Sequence, residues 1–153
     1  MRLRTAFPVL AAIAAAIVTL IAGCGGGDDN KSSTPVTTTA TNGPATVNAS
    51  LGEYFIKLDK ASVPKGQVRF DLSNDGKIKH EFVVLKTNIA PGKLPLKGGE
   101  ADEEAAESPG EVPGIGPGKK KTLDLSLQPG KYVLLCNLPG HYKAGQYTGL
   151  SVK

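Results

Sequence analysis

Thr122-Leu-Asp-Leu-Ser-Leu127, Gln128-Pro129-Gly130 and Lys131-Tyr-Val-Leu-Leu-Cys136 follow one another without a gap, and their reading decides the fold. The first six residues alternate apolar and polar throughout, as a strand with one buried and one solvated face requires. Pro129-Gly130 then turns the chain into a second apolar stretch that ends on a cysteine. The same grammar recurs on the N-terminal side. Gln67-Val-Arg-Phe-Asp-Leu72 alternates cleanly, Leu51 to Leu58 does so moderately, and Glu81-Phe-Val-Val-Leu-Lys86 has the composition of a more buried strand. Ser73-Asn74-Asp75-Gly76 is a turn signal between two of them. On the C-terminal side Tyr147 to Val152 closes the series.

Six or seven short strands punctuated by turns predict an all-β domain, a Greek-key antiparallel β-sandwich, over residues 47–153. Without tryptophan, its core is expected to be Val, Leu and Ile. The pattern lapses between Thr87 and Gly118, where Pro and Gly are frequent. A long loop is expected there, with Glu100 to Glu107 able to make two helical turns. Its acidic residues read as a solvated surface.

The stretch before residue 47 has a different character. Arg2 and Arg4 precede an almost unbroken apolar run, Val9 to Ala22, and Ile21-Ala22-Gly23-Cys24 places small residues ahead of a cysteine. Charge, apolar run and small-residue site in that order mark a secretory signal over residues 1–23. The tetrad at 21–24 resembles the lipobox of bacterial lipoproteins, which implies that Cys24 carries a lipid; an ordinary signal peptide or an uncleaved anchor are the alternatives. Residues 24–46 are mostly Gly, Ser, Thr, Asp and Asn, a flexible linker that cannot bury enough surface to fold. An exported, membrane-anchored module is expected, outside the cytoplasm at the periplasmic or cell-surface face.

The formal charge of +4 overstates how basic such a module is. Setting aside Arg2 and Arg4 from the 18 Lys and Arg leaves 16 against 14 acidic residues, a net +2. Lys119-Lys120-Lys121 is a dense basic run, but no aromatic residues interleave with it, so it reads as a solvated strand end and no nucleic-acid partner is expected. Catalytic motifs fail on inspection. His80-Glu81 lacks the second histidine of a zinc-protease helix, the glycines at 114–118 lack the Ser/Thr and spacing of a phosphate loop, and no serine has the flanks of a nucleophile elbow. An enzyme is not expected.

With Cys24 assigned to lipid, the domain keeps a single thiol, Cys136, and cannot form an internal disulfide. It also holds both histidines of the chain. His141 follows Cys136 after Asn137-Leu138-Pro139-Gly140, and His80 opens an earlier strand. A lone strand cysteine is usually a small buried hydrophobe, and a lone histidine is usually structural or exposed. Taken together, two imidazoles and one thiolate in a near-trigonal set suit copper in both oxidation states: the soft thiolate favours Cu(I), and the imidazoles tolerate Cu(II).

The stretch Tyr132-Val-Leu-Leu-Cys-Asn-Leu-Pro-Gly-His-Tyr-Lys-Ala-Gly-Gln146 resembles the ligand loop of the cupredoxins, specifically the small plastocyanin-like and sulfocyanin-like copper proteins. Lys79-His80-Glu81-Phe82 matches the family's first histidine, and the resemblance spans residues 48–153. It implies one type 1 (blue) copper ion on His80, Cys136 and His141. The usual axial methionine is replaced by Gln146, as in the stellacyanin-like branch, and Met1 is the chain's single methionine. An amide oxygen at that position implies a lower potential than a thioether gives; Gln146 pointing elsewhere is the alternative. The resemblance further implies backbone N–H groups near Glu81 reaching the thiolate, Asn137 bonding across the loop, and Leu138, Pro139 and Tyr142 forming an apolar rim around His141, either as a docking face for a redox partner protein or as plain loop packing. The implied activity is single-electron transfer by a tethered monomer. The competing readings are copper handling, a copper enzyme, which would need further histidine pairs, and a metal-free structural module.

Overall fold

A computed structural model describes residues 43–153. The signal segment, Cys24 and the linker as far as residue 42 lie outside the described residues. Eleven strands follow: β1 (Ala45–Gly52), β2 (Phe55–Leu58), β3 (Ser62–Val63), β4 (Gly66–Asn74), β5 (His80–Lys86), β6 (Leu96–Lys97), β7 (Glu100–Ala101), β8 (Glu107–Ile115), β9 (Lys120–Leu127), β10 (Gly130–Leu135) and β11 (Tyr147–Val152). They form a four-stranded sheet in the order β2-β1-β4-β9, a five-stranded sheet in the order β3-β11-β10-β5-β8, and a separate β6-β7 ribbon.

The β-sandwich expected from the sequence is present, with mixed rather than purely antiparallel sheets. β1 pairs in parallel with β4, and β3 with β11. The cause is a crossover: after the β1–β2 hairpin the chain passes to the five-stranded sheet as β3 and returns as β4 on the free side of β1. The moderate alternation from Leu51 to Leu58 is thus two strands, separated by a turn at Glu53-Tyr54 in which Tyr54 takes a φ of 66°.

The region expected to be a loop holds more structure than its composition suggests. β8 pairs antiparallel with β5 as the edge of the five-stranded sheet. Pro109 and Pro113 lack the N–H that a central strand needs, so an edge is where such a sequence is tolerated. The Ala/Glu-rich piece makes only a three-residue 3-10 turn, Glu103–Ala105, capped by the Asp102 carboxylate.

The sheets bury two apolar clusters. Between them lie Val47, Leu51, Val68, Phe70, Leu72, Phe82, Val84, Leu134 and Leu150 among others, with the Phe70 and Phe82 rings 5.3 Å apart. On the other face of the five-stranded sheet, Val83, Leu85, Val133 and Leu135 pack with Leu94, Ala101 and Tyr142. β5 and β10 are therefore buried on both faces, which is why Phe82-Val-Val-Leu85 and Tyr132-Val-Leu-Leu135 run apolar without alternation.

Candidate metal centre

Strand direction assembles the site. β5 and β11 both run antiparallel to β10, with Leu135 opposite Val83 on one side and Tyr147 on the other. The starts of β5 and β11 consequently lie beside the end of β10. His80 is the first residue of β5, Cys136 follows the last residue of β10, and Gln146 precedes the first residue of β11. One end of one sheet thus receives three of the four residues singled out in the sequence.

The fourth, His141, arrives on the loop between β10 and β11. Its N–H donates to the Leu138 carbonyl at 2.9 Å, closing a turn with Pro139 and Gly140 at its centre. Gly140 has a φ of 82°, which glycine adopts without penalty in the second central position of such a turn. The Gln146 N–H donates to the His141 carbonyl at 3.1 Å, and the Cys136 N–H donates to the Gln146 carbonyl at 3.1 Å. The loop is closed on itself at both ends, so His141 is presented on a braced turn.

Cys136 Sγ lies 3.3 Å from His141 Nδ1 and 4.0 Å from His80 Nδ1, and the donor atoms of the three residues all fall within 4.8 Å of one another. Bonds of about 2.0–2.3 Å to a first-row ion at the centre of a trigonal set would separate its donors by roughly 3.5–3.8 Å, a value the two sulfur–nitrogen distances bracket. His80 and Cys136 are buried, and His141 is partly exposed.

The surroundings favour the neutral imidazole and a braced sulfur. Burial, and then the neighbouring His141, pull the His80 pKa below its ordinary value. Burial pushes the Cys136 thiol up, so a metal must displace its proton on binding. The Glu81 N–H donates to Cys136 Sγ at 3.4 Å, which opposes that upward push. The Glu81 carboxylate, raised chiefly by its own burial, accepts the Asn137 N–H at 2.9 Å.

Gln146 is fully buried beside His80. Its Nε2 donates to the Gly52 carbonyl at 2.9 Å and approaches His80 Nδ1 at 3.0 Å. Oε1 is buried with no hydrogen-bond partner among the described residues, an unpaired amide oxygen on the side chain whose Nε2 reaches His80. Two imidazoles and a buried thiol, with an unpaired amide oxygen on the neighbouring Gln146, are donors of the kinds that suit copper, so the residues fit the ion.

Two expectations are corrected. Asn137 does not bond across the ligand loop. Its side chain pairs outward with Ala101, accepting the N–H at 2.7 Å and donating to the carbonyl at 3.0 Å, and it also donates to Glu103. Tyr142 is not part of an exposed rim, because it is buried and its hydroxyl accepts the Leu94 N–H at 2.9 Å. The aromatic edge at His141 is instead Tyr54, 51% exposed, at a centroid distance of 6.0 Å and an interplanar angle of 82°. Sequence reasoning read Asn74 as a turn residue and missed its bracing role. It is buried behind the site, donates to the Ile78 and Ile115 carbonyls and accepts the Gly76 N–H, so it ties the turn before His80 to the end of β8.

No protein-family profile matches the sequence, and no curated protein sequence does. Solved structures do match. The dithionite-reduced auracyanin of the photosynthetic bacterium Roseiflexus castenholzii is 23% identical with a TM-score of 0.54, the match covering 72% of this chain and 99% of that one. Auracyanin A, described as a "blue" copper protein from the green thermophilic photosynthetic bacterium Chloroflexus aurantiacus, is 21% identical with a TM-score of 0.52, over 72% of this chain and all of that one. Rusticyanin from Thiobacillus ferrooxidans is 16% identical with a TM-score of 0.50, over 72% and 79%. The fold is that of the cupredoxins. Within it, His80, Cys136 and His141 of this chain are arranged as a possible copper site.

Proposed function

We propose that this protein is a type 1 copper carrier of single electrons, in which His80, Cys136 and His141 would hold the ion and the Gln146 amide oxygen would supply a fourth donor. The convergence of two imidazole nitrogens and one thiol within 4.8 Å, at the braced end of a β-sandwich, carries the reading. Bound copper supplies a one-electron couple. The chain's own residues do the rest. His80, Cys136 and Gln146 are fully buried and exclude water from one side. The self-closed loop from Cys136 to Gln146 resists rearrangement, and the Glu81 N–H fixes the sulfur. The partly exposed His141, flanked by Tyr54, is the edge through which a redox partner protein reaches the site. The domain has two histidines and one buried cysteine, all in this one cluster, which leaves no further histidine pair for the second centre of a copper enzyme. The carrier works outside the cytoplasm as a monomer, leashed to the membrane through a lipid on Cys24.

Adding Cu(II) to the purified domain and recording its visible spectrum tests this. An intense thiolate-to-copper band, bleached on reduction and absent from Cys136→Ser, is the expected result; tight Cu(I) binding without that band would point to copper handling instead. Gln146→Met in the copper-loaded protein is expected to raise the potential. An unchanged potential and spectrum would remove Gln146 from the ligand set.

A further inference from the structure

His80 has one ring nitrogen accounted for and one that is not. Nδ1 faces Gln146 Nε2 at 3.0 Å, and the Gly52 carbonyl, which can only accept, identifies that end of the amide as the nitrogen. A ring nitrogen that accepts carries no proton, so the neutral imidazole holds its proton on Nε2. Nε2 is buried and has no hydrogen-bond partner among the described residues. A metal on Nδ1 demands the same tautomer, and a metal-bound histidine ordinarily donates its other N–H to an acceptor that orients the ring.

Glu53, in the β1–β2 turn, is placed to be that acceptor. Its Oε1 accepts the Lys77 N–H at 2.5 Å and the Ile78 N–H at 3.1 Å, which brings the carboxylate over the turn that leads into His80. Both Glu53 oxygens and His80 Nε2 converge on the same side of Gly76. A Cβ at that position would stand 2.8 Å from Oε2, 2.9 Å from Oε1 and 3.0 Å from Nε2. Any side chain at residue 76 would press on both groups, and the bare Cα leaves room for them to approach each other. Their separation is at most about two hydrogen-bond lengths, which one water molecule or a rotation of the carboxylate closes.

We infer that Glu53 is the positioning residue of His80. Its carboxylate takes the hydrogen bond of the Nε2 proton, directly or through one water, and keeps Nδ1, the nitrogen that faces Gln146 and Cys136, unprotonated. The tautomer part of this inference stands on the protein alone. Its consequence for a metal rests on the copper reading above. A carboxylate on the far nitrogen strengthens the imidazole as a donor and adds negative charge near the ion, both of which favour the oxidised state.

Two variants and two readouts test it. Glu53→Gln keeps an oxygen for the Lys77 and Ile78 N–H groups but removes the charge, and Gly76→Ala keeps the charge but crowds a methyl group against both partners. In the metal-free domain, both are expected to move the His80 Nε2–H proton resonance upfield, with the melting transition still cooperative. A resonance unmoved in both variants overturns the inference, whatever the copper results. In the copper-loaded domain Glu53→Gln is expected to raise the potential by up to a tenfold shift in the Cu(I)/Cu(II) equilibrium, ~59 mV for one electron. An unmoved potential there removes the link from Glu53 to the metal. Failure of wild type to take up copper would remove the copper reading and leave the resonance to decide the role of Glu53.

Discussion

The two sheets of this sandwich are built to different rules. In the four-stranded sheet, β4 alternates buried with exposed or half-buried positions, β9 alternates half-buried with exposed ones from Thr122 to Ser126, and the outward face is Asn48, Arg69, Asp71, Thr122 and Asp124. In the five-stranded sheet, Phe82 to Leu85 and Tyr132 to Leu135 are buried at every position, because the chain between β5 and β8 covers the second face. Both histidines and the cysteine belong to the second sheet or its connections. A metal ligand must not wander, and a strand packed on both faces has fewer ways to move than one packed on a single face.

The sharpest way to break this contrast is to remove apolar volume from each face. Phe82→Ala, in the cluster between the sheets, is expected to cost about 3–5 kcal/mol, and Leu85→Ala, on the covered outer face, about 2–5 kcal/mol. Leu123→Ala in β9, only partly buried, is expected to cost no more than about 1.5 kcal/mol. Denaturant unfolding with a common m-value checks the set. If Leu85→Ala cost no more than Leu123→Ala, the outer face of the five-stranded sheet would not be a second core.

A smaller effect is expected where the covering segment is clipped to the ligand loop. Asn137→Ala leaves the Ala101 N–H and carbonyl unpaired in a buried setting, and the expected loss is about 1–3 kcal/mol. Because the excursion sits on β5 and β10 through that clip, amide exchange across Leu94 to Ala106 should accelerate more than exchange in β4.

Acidity and alkalinity also act on the site-bearing sheet. In the metal-free domain the folded state holds His80 below its ordinary pKa of 6.5, so it binds fewer protons than the unfolded chain there. The stability this contributes is complete above pH 6.5 and falls as pH drops below it. The Cys136 thiol sits above its ordinary 9.0, so its contribution is complete below that value and is lost as pH rises through the folded pKa. A melting-temperature profile of the metal-free domain should therefore have a plateau between those limits. His80→Gln should flatten its acid shoulder immediately below pH 6.5.

Legibility in the sequence followed the range of the interaction. Strands with local alternation, β4 and β9, could be read directly, as could β5, β10 and β11. The spacing of Cys136, His141 and Gln146 could also be read, because a ligand loop is a local object. β8 could not: Pro109, Gly110, Pro113 and Gly114 carry loop signals, and only pairing with β5 overrides them. The parallel β1–β4 pairing was equally hidden, since nothing local encodes a return from the other sheet. The contacts around the site that were missed or misassigned share one property. Glu53 meets Lys77 across 24 positions, Asn137 meets Ala101 across 36, and Asn74 meets Ile115 across 41. No spacing rule joins such pairs until the strands are laid side by side.

The smallest effect belongs to the exposed face of the four-stranded sheet. Arg69 and Asp124 stand opposite each other in the β4–β9 register and form a two-pronged ion pair, at 2.8 Å from Nε and 3.2 Å from Nη2. Each raises or lowers the other's pKa in the sense that favours both charges, yet both side chains are about half exposed. Water and salt screen such a pair, and ordering two long side chains offsets much of the attraction. Arg69→Ala is therefore expected to leave the melting temperature and any copper spectrum unchanged within error, at low and at high salt. A clear loss of stability that disappears in high salt would mean that the outward face of this sheet carries structural charge, and the contrast between the two sheets would narrow to their apolar packing alone.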